Sequence, residues 1–286
     1  MRIDLHTHST WSDGTETPEQ VVGAGVAAGL DVLALTDHDT AGGWAEADRA
    51  GRAAGLTVIP GLELSCQSRG TSVHVLAYLV DPDGEVLREE MQRARDSRGA
   101  RLRAMADLLI ADGYLDSYEQ VLAQLEDGAT AGRPHLADAM VAAGRYPDRN
   151  AAFAGVLGSG SRYYVGHYAT DVIRAVEVIR DAGGMAVLAH PLAGARGRVV
   201  GDDVIEAMAE AGLGGIEVDH RDHSPRERAH AAALAQRLGL LPTGASDYHG
   251  AGKVNELGEN TTTPEVLAAL LEQGSGAAPL GAELSW

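Results

Sequence analysis

Short apolar runs rich in β-branched residues alternate along the chain with longer stretches in which apolar positions recur every three or four residues. The short runs predict seven strands, at Ile3 to Leu5, Asp31 to Leu35, Leu56 to Ile59, Ser72 to Val80, Met185 to Leu188, Gly215 to Val218 and Leu240 to Thr243. Helical patterns fill most of the gaps, at Pro18 to Ala28, Gly42 to Ala54, Thr170 to Ala182, Asp202 to Ala211 and Pro225 to Leu238, with Pro264 to Glu272 at the end. Alternation of this kind predicts parallel strands with helices outside them, an α/β architecture. An open doubly wound sheet and a closed barrel both satisfy it. The residues that follow the strands discriminate: His6/His8, Asp37/His38, Glu63, His190, His220 and Asp247/His249. Barrel strands converge on one mouth at their carboxyl ends, whereas an open sheet would spread these groups along a line.

One stretch breaks the alternation. From about residue 84 to 167 the chain shows helical patterns, Val86 to Asp112, Ser117 to Glu126, Pro134 to Ala143 and Asn150 to Leu157, and no strand. Its middle part, residues 99–168, is expected to be a helical insertion over the mouth of a barrel made by residues 1–98 and 169–286. The Gly274 to Pro279 segment reads as loose.

Composition narrows the function. The 286 residues, 45% hydrophobic and 22% charged, suit one large domain or two modest ones and exclude disorder, collagen and coiled coil. No apolar run approaches the roughly 18 residues of a membrane helix, and the first residues lack the apolar core of a signal peptide, so a cytoplasmic protein without membrane partners is expected. The lone Cys66 forbids an intrachain disulfide and a multi-cysteine zinc site; metal would need His and carboxylate ligands, and the chain has 11 His. With 23 basic and 41 acidic residues the net charge is −18, which repels long duplex nucleic acid. Small or short anionic substrates stay open, because divalent metals reverse the local field. Nothing in the sequence fixes an oligomeric state.

His6 and His8 on one strand send both imidazoles to the same face, where they can share a metal or be two unrelated histidines. Asp13 follows, then Asp37-His38-Asp39. Glu63 lies between Leu62 and Leu64 on a buried run, a costly placement unless the carboxylate is hydrogen-bonded or binds metal. His74 sits inside an apolar run, as a core histidine would. His190 precedes a proline stop, and Asp247-Tyr248-His249 repeats the same-face spacing. Each has a bland explanation alone; six histidines and three carboxylates at one barrel mouth point to metal.

The motifs Asp4-Leu5-His6-Thr7-His8 with Ser12-Asp13-Gly14, Thr36-Asp37-His38-Asp39, Gly61-Leu62-Glu63-Leu64-Ser65, His74-Val75, Gly132-Arg133-Pro134-His135, Ala189-His190-Pro191 and Ser246-Asp247-Tyr248-His249 run through nearly the whole chain. In this order they resemble the polymerase and histidinol phosphatase (PHP) domain phosphoesterases. The resemblance implies a distorted (β/α)7 barrel with three divalent metals: one held by His6, His8, Glu63 and Asp247, a second by Glu63, His74 and His190, a third by Asp13, His38 and His249. Such ligands suit Mn, Fe(II) or Zn without choosing among them. Glu63, bridging two metals, would leave a low-pKa water or hydroxide between them as nucleophile.

The Gly132-Arg133-Pro134-His135 motif in a helical insertion is closest to the subgroup acting on nucleoside 3',5'-bisphosphates and 5' ends of short RNA. Arg133 and His135 are then expected to face the metals, Arg133 as a forked phosphate donor. His220 and His223 can bind phosphate, protonate the leaving group, or simply lie on the surface. Arg162 stands where related sequences place a lysine that would be a second phosphate contact. Asp37 and Asp39 orient histidines or cap loops, His230 is expected to be solvated, and Cys66 to be a packed strand-end thiol. The expected function is metal-dependent hydrolysis of nucleotide phosphate esters, with Glu63, Asp13, Arg133 and His223 in the chemistry. Histidinol phosphate and a cyclic ribose phosphate are alternative substrates. A non-catalytic regulatory metal domain is the alternative of another class.

Overall fold

All seven strands of the sequence pattern are present in the structure, a computed structural model that describes residues 1–284. They are β1 (Ile3–Thr7), β2 (Val32–Leu35), β3 (Thr57–Ser68), β4 (Thr71–Tyr78), β6 (Met185–Leu188), β7 (Gly215–Asp219) and β8 (Leu241–Gly244). Two short additions, β5 (Thr170–Asp171) and β9 (Leu280–Gly281), pair with β3. The order β1-β2-β3-β4-β6-β7-β8 curls until its ends meet. There, the His8 amide donates to the Tyr248 carbonyl at 2.8 Å and the Tyr248 amide to the His6 carbonyl at 3.3 Å. The sheet is a nearly closed barrel.

The expectation of uniformly parallel strands needs correction at β4, which runs antiparallel to both β3 and β6. β3 is longer than its sequence signal and reaches Ser68, so only Arg69 and Gly70 separate it from β4. Both residues have positive φ, 49° and 78°, the backbone of a tight hairpin turn. A parallel neighbour would need a crossover of a dozen residues.

Side chains alternate across the barrel wall as the two-residue period requires. Val32 and Ala34 join an inner cluster with Ile3, Leu5, Ile59 and Tyr78, whereas Leu33 and Leu35 pack outward. The outward face is covered by α1 (Pro18–Ala27), α2 (Trp44–Ala54), α7 (Val172–Asp181), α8 (Asp202–Ala211) and α9 (Pro225–Leu238). Leu267 and Leu270 of α10 (Pro264–Gln273) join the inner cluster. The segment that reads as loose is pinned, since the amides of Ser275 and Gly276 donate to the Gly183 carbonyl.

Between β4 and β5 runs α3 (Glu85–Ala111), 27 residues without interruption. Its first half buries Leu87 and Met91 against the barrel's outer core. Its second half buries Leu102, Met105 and Leu109 in a separate apolar cluster with Val121 of α4 (Glu119–Leu122), Leu136 and Met140 of α5 (Arg133–Ala142), and Ala152 of α6 (Arg149–Ala152). Residues from α6 and a loop tie this helical body to the mouth: Arg149 donates to the Asp13 carbonyl at 2.9 Å, and the Thr130 amide to the Trp11 carbonyl at 2.8 Å. Among the described residues, no helix is long and apolar enough to cross a membrane.

Candidate metal centre

Glu63 sits inside β3 rather than at its end, 1% exposed, and five imidazoles surround its carboxylate. Oε1 lies 2.8 Å from His74 Nδ1 and 3.2 Å from His190 Nε2. Oε2 lies 3.1 Å from His8 Nε2 and 3.3 Å from both His6 Nε2 and His38 Nδ1. Asp247 Oδ1 stands 3.5 Å from His8 and 3.6 Å from His6, and Asp13 Oδ1 stands 3.1 Å from His249 Nε2. The nine residues singled out from the sequence thus meet in one cage at the barrel mouth.

The cage has the chemistry of a metal site rather than of a hydrogen-bonded core. Asp13 Oδ1, His38 Nδ1 and His74 Nδ1 are buried without a hydrogen-bond partner, although oppositely charged atoms lie close by. Close separation without a hydrogen bond is the arrangement of ligand atoms that would share a central ion. His6 shows the same preparation. Its Nδ1 is bonded to Glu217 Oε1 at 2.9 Å, which as donor leaves the Nε2 lone pair facing His8 Nε2 at 3.1 Å. His249 Nδ1 similarly donates to the Asp247 carbonyl at 2.9 Å and frees Nε2 toward Asp13.

Four triplets of donor atoms lie within 4.8 Å of one another: His6/Glu63/His190, His6/His8/Asp247, His8/His38/Glu63 and His8/Asp13/His249. This grouping differs in detail from the three sets the resemblance implies, because His38 stands between Glu63 and Asp13.

Electrostatics show what the cage lacks. Burial pushes Glu63 and Asp247 up, but the surrounding cations outweigh it and hold both carboxyls well below their usual range. Burial pushes His8 down, yet bonds to Asp247 and Glu63 raise it to about 9. Among the described residues no Lys or Arg pairs with Glu63, whose carboxylate faces imidazoles alone, a charge balance that a divalent ion provides better.

The comparisons with known proteins agree with this chemistry. Residues 4–137 match the PHP domain model. The chain is 35% identical over 251 residues to a 3',5'-nucleoside bisphosphate phosphatase of Chromobacterium violaceum, covering 88% of each. It is also 35% identical over 267 residues to a phosphoribosyl 1,2-cyclic phosphate 1,2-diphosphodiesterase of Eggerthella lenta, covering 90% of this chain and 98% of that one. A solved structure from Bifidobacterium adolescentis, provisionally described as a metal-dependent phosphoesterase, superposes with a TM-score of 0.93 at 38% identity over 96% of both chains. The chain belongs to the PHP-domain family. It is a metal-dependent hydrolase of phosphate esters.

Behind the cage of this PHP enzyme, acidic side chains hold the imidazoles in place. Glu217, fully buried in β7, accepts from His6 and from the His190 amide at 2.6 Å; burial pushes its carboxyl up, but His6 and other imidazoles bring it down to about 2. Sequence reasoning passed over it, although Ile216-Glu217-Val218 repeats the apolar flanks that drew attention to Glu63. Asp37 accepts from Ser9 and Ser12, and Ser12 in turn meets His8 Nδ1 at 3.3 Å, so this loop cap also positions a histidine. Asp39 instead anchors the Ser65 amide and pairs with Arg98 at 3.0 Å. Asp39, His190 and Asp247 all adopt positive φ, strain that the surrounding bonds maintain at the site. Arg196 and Lys253, also overlooked, hold Asp247 Oδ2 at 2.6 and 2.9 Å, so only Oδ1 faces the histidines.

The remaining candidates separate. His220 is fully buried with Nε2 unpartnered, 3.7 Å from Asp247 Oδ2. His223 is buried too, but the Val218 carbonyl takes one ring nitrogen and the Leu192 amide the other, leaving no atom for a substrate. His135 Nδ1 accepts from the Gly132 amide at 3.0 Å and caps α5, with Asp13 in its field. Arg133 lies half-buried over the rings of Phe153 and Tyr164 and donates to the Leu157 carbonyl at 2.9 Å. Arg162 is not brought to the site: it is exposed and paired with Asp112. His230 is solvated and bonded to Asp202, and Cys66 is a buried free thiol.

Proposed function

We propose that this PHP phosphoesterase hydrolyses nucleoside 3',5'-bisphosphates, releasing the 3'-phosphate, and acts on short 5'-phosphorylated RNA. The observation that carries this reading is the nine-residue His/carboxylate cage at the barrel mouth, to which Arg149 and Thr130 tie the helical insertion. In this reading residues 1–98 and 169–284 are the catalytic barrel and residues 99–168 the substrate cover; the last two residues of the expected barrel range, 285–286, lie outside the described residues. The residues of the cage, His6, His8, Asp13, His38, Glu63, His74, His190, Asp247 and His249, would hold three divalent ions, Mn, Fe or Zn. Bound there, they supply neutralisation of the phosphoryl oxygens and activation of the attacking water.

The chain's own side chains do the rest. Glu217 keeps the His6 tautomer that presents a lone pair, and Asp37 works through Ser12 on His8. His220, whose Nε2 has no hydrogen-bond partner, is the group able to give a proton to the departing oxygen. His223 serves as a prop for its loop. The two relatives named above act, by their names, on compounds bearing more than one phosphate, which suits a site with cationic side chains beyond the cage. A net charge of −18 speaks against long duplexes as ligands. A cytoplasmic location fits a chain whose one cysteine is buried and unpaired.

The test is phosphate release in Mn from adenosine 3',5'-bisphosphate, a 5'-phosphorylated trinucleotide, a cyclic ribose phosphate and histidinol phosphate. The bisphosphate is expected to lead in kcat/KM. Equal or faster turnover of histidinol phosphate would overturn the substrate assignment, and no metal-dependent turnover of any ester would favour the regulatory reading.

A further inference from the structure

A charged side chain of the insertion crosses to the loops that carry cage residues. Arg149, the first residue of α6, has a side chain 12% exposed. Its Nε and Nη2 each donate at 2.6 Å to one oxygen of Asp138, on α5, so a bidentate pair fixes the plane of the guanidinium inside the insertion. The third nitrogen then has one direction left, and Nη1 donates across the boundary to the Asp13 carbonyl at 2.9 Å. Among the described residues no other group donates to that carbonyl. An ion pair that served the insertion alone would be complete with Asp138; what the third bond adds is the placement of the Asp13 backbone.

Both loops that Arg149 reaches serve the same end of the cage. Asp13 Oδ1 is buried without a hydrogen-bond partner, 3.1 Å from His249 Nε2, and the two residues share a triplet of donor atoms with His8. Three residues after His249 comes Gly252, where a Cβ would overlap Arg149 Nη1 and stand 3.1 Å from the His249 carbonyl. The guanidinium therefore lies against the bare backbone of the loop that begins at His249, an approach that glycine permits. The two loops also meet each other, since the Thr15 amide donates to the His249 carbonyl at 3.2 Å. Arg149 is wedged where they join. The other end of the cage is built differently: Glu63 and His74 lie within the β3–β4 ladder, which holds them by its own hydrogen bonds.

We propose that Arg149, clamped by Asp138, is a positioning residue that holds Asp13 against His249, so that docking of the insertion sets how tightly the Asp13/His249 end of the cage binds its ion. The proposal rests on the reading of the cage as a three-ion centre. Coupling of this kind is reciprocal: an ion that draws Asp13 and His249 together also secures the acceptor of Arg149, and with it the seat of α6 on the barrel.

Metal binding reads the effect without turnover. Chelator-stripped full-length protein is titrated with Mn, free Mn is followed by electron paramagnetic resonance, and Asp13→Asn marks which ion depends on Asp13. Arg149→Met should weaken that same ion by ~10 to 100-fold, the size of a lost charge-assisted hydrogen bond, and leave the others within about twofold. Asp138→Asn, which keeps Arg149 and loosens only its clamp, should cause a smaller loss at the same ion, and it carries the test if Arg149→Met does not fold. Mn should also slow hydrogen exchange in α6 of wild type and fail to do so in Arg149→Met. Unchanged affinity for the Asp13-dependent ion, or an equal weakening of every ion together with a lower Tm, would overturn the proposal and make Arg149 a structural tie. A wild type that binds fewer than three Mn ions refutes the three-ion reading separately; the proposal then stands if a bound ion is lost in Asp13→Asn and weakened in Arg149→Met, and falls if none is.

Discussion

At the barrel mouth three carboxylates, Glu63, Asp13 and Asp247, crowd together with six imidazoles on strands and strand ends. In the insertion beside them, Arg101 and Arg133 lie buried or half-buried with no carboxylate acting on them. Both regions keep groups that a stability-driven design would pair or replace with apolar side chains, and the missing partner has opposite sign in each. At the mouth Arg196 and Lys253 answer only Asp247 Oδ2, and Glu63 faces imidazoles alone. The insertion lacks an anion. The difference teaches that metal can answer only the first region, so changes at the mouth and changes in the insertion are told apart by their effect on metal content.

Glu63→Ala should break the mouth while sparing the insertion. Elemental analysis is expected to show about two ions lost per chain and turnover reduced by roughly 10³-fold or more, since metal stabilisation is worth several kcal/mol. Full metal content in an inactive Glu63→Ala protein would mean that the carboxylate is no ligand. Stripping metal from wild type with a chelator should lower Tm by at least ~5 °C, and Mn should restore it, because ions that bind only the folded cage stabilise it. Arg133→Ala probes the other region. It should cut kcat/KM for the bisphosphate by ~10 to 100-fold with metal content at wild-type level, and cost adenosine 3'-monophosphate much less. Equal losses on both substrates would move Arg133 to the transferred phosphoryl group. Glu217→Gln should weaken metal binding and rate by about 10-fold on both substrates alike, the usual cost of losing a group behind a metal ligand, and a substrate-selective effect would contradict its place behind His6. His230→Ala, on the far surface, should leave rate and metal content within about twofold of wild type.

How much of this was legible in the sequence depended on the kind of signal. Strand positions and the nine cage residues stood out because apolar runs end in metal-type side chains, and strand ends meet in space. Strand direction did not stand out. A period-two pattern reads the same in both senses, and the real cue for β4, the two-residue Arg69-Gly70 gap, was hidden because β3 continues past its apolar run through Glu63. Glu217 carried the same signature as Glu63 and was recoverable. Arg98 and Arg101 were recoverable too: they share the three-four spacing of Ala94, Leu102, Met105 and Leu109, so they fall on the buried stripe of α3. His223 was not, because nothing local reveals that the Leu192 amide, thirty-one residues away, takes its second nitrogen.

The single helix that leaves the barrel and enters the insertion also sets a rule of phase for exchanging covers. Each residue added to or removed from α3 turns everything beyond it by about 100° and slides it about 1.5 Å. A one-residue deletion between Met91 and Arg98 would therefore swing both arginines away from the mouth while leaving every strand intact. Length changes near seven or eleven residues bring the helix almost back into phase, at a displacement of roughly 10 to 16 Å. A transplanted cover would have to respect that step, so new specificities on this scaffold are more accessible by changing side chains on the buried stripe than by changing the length of the rod that carries them.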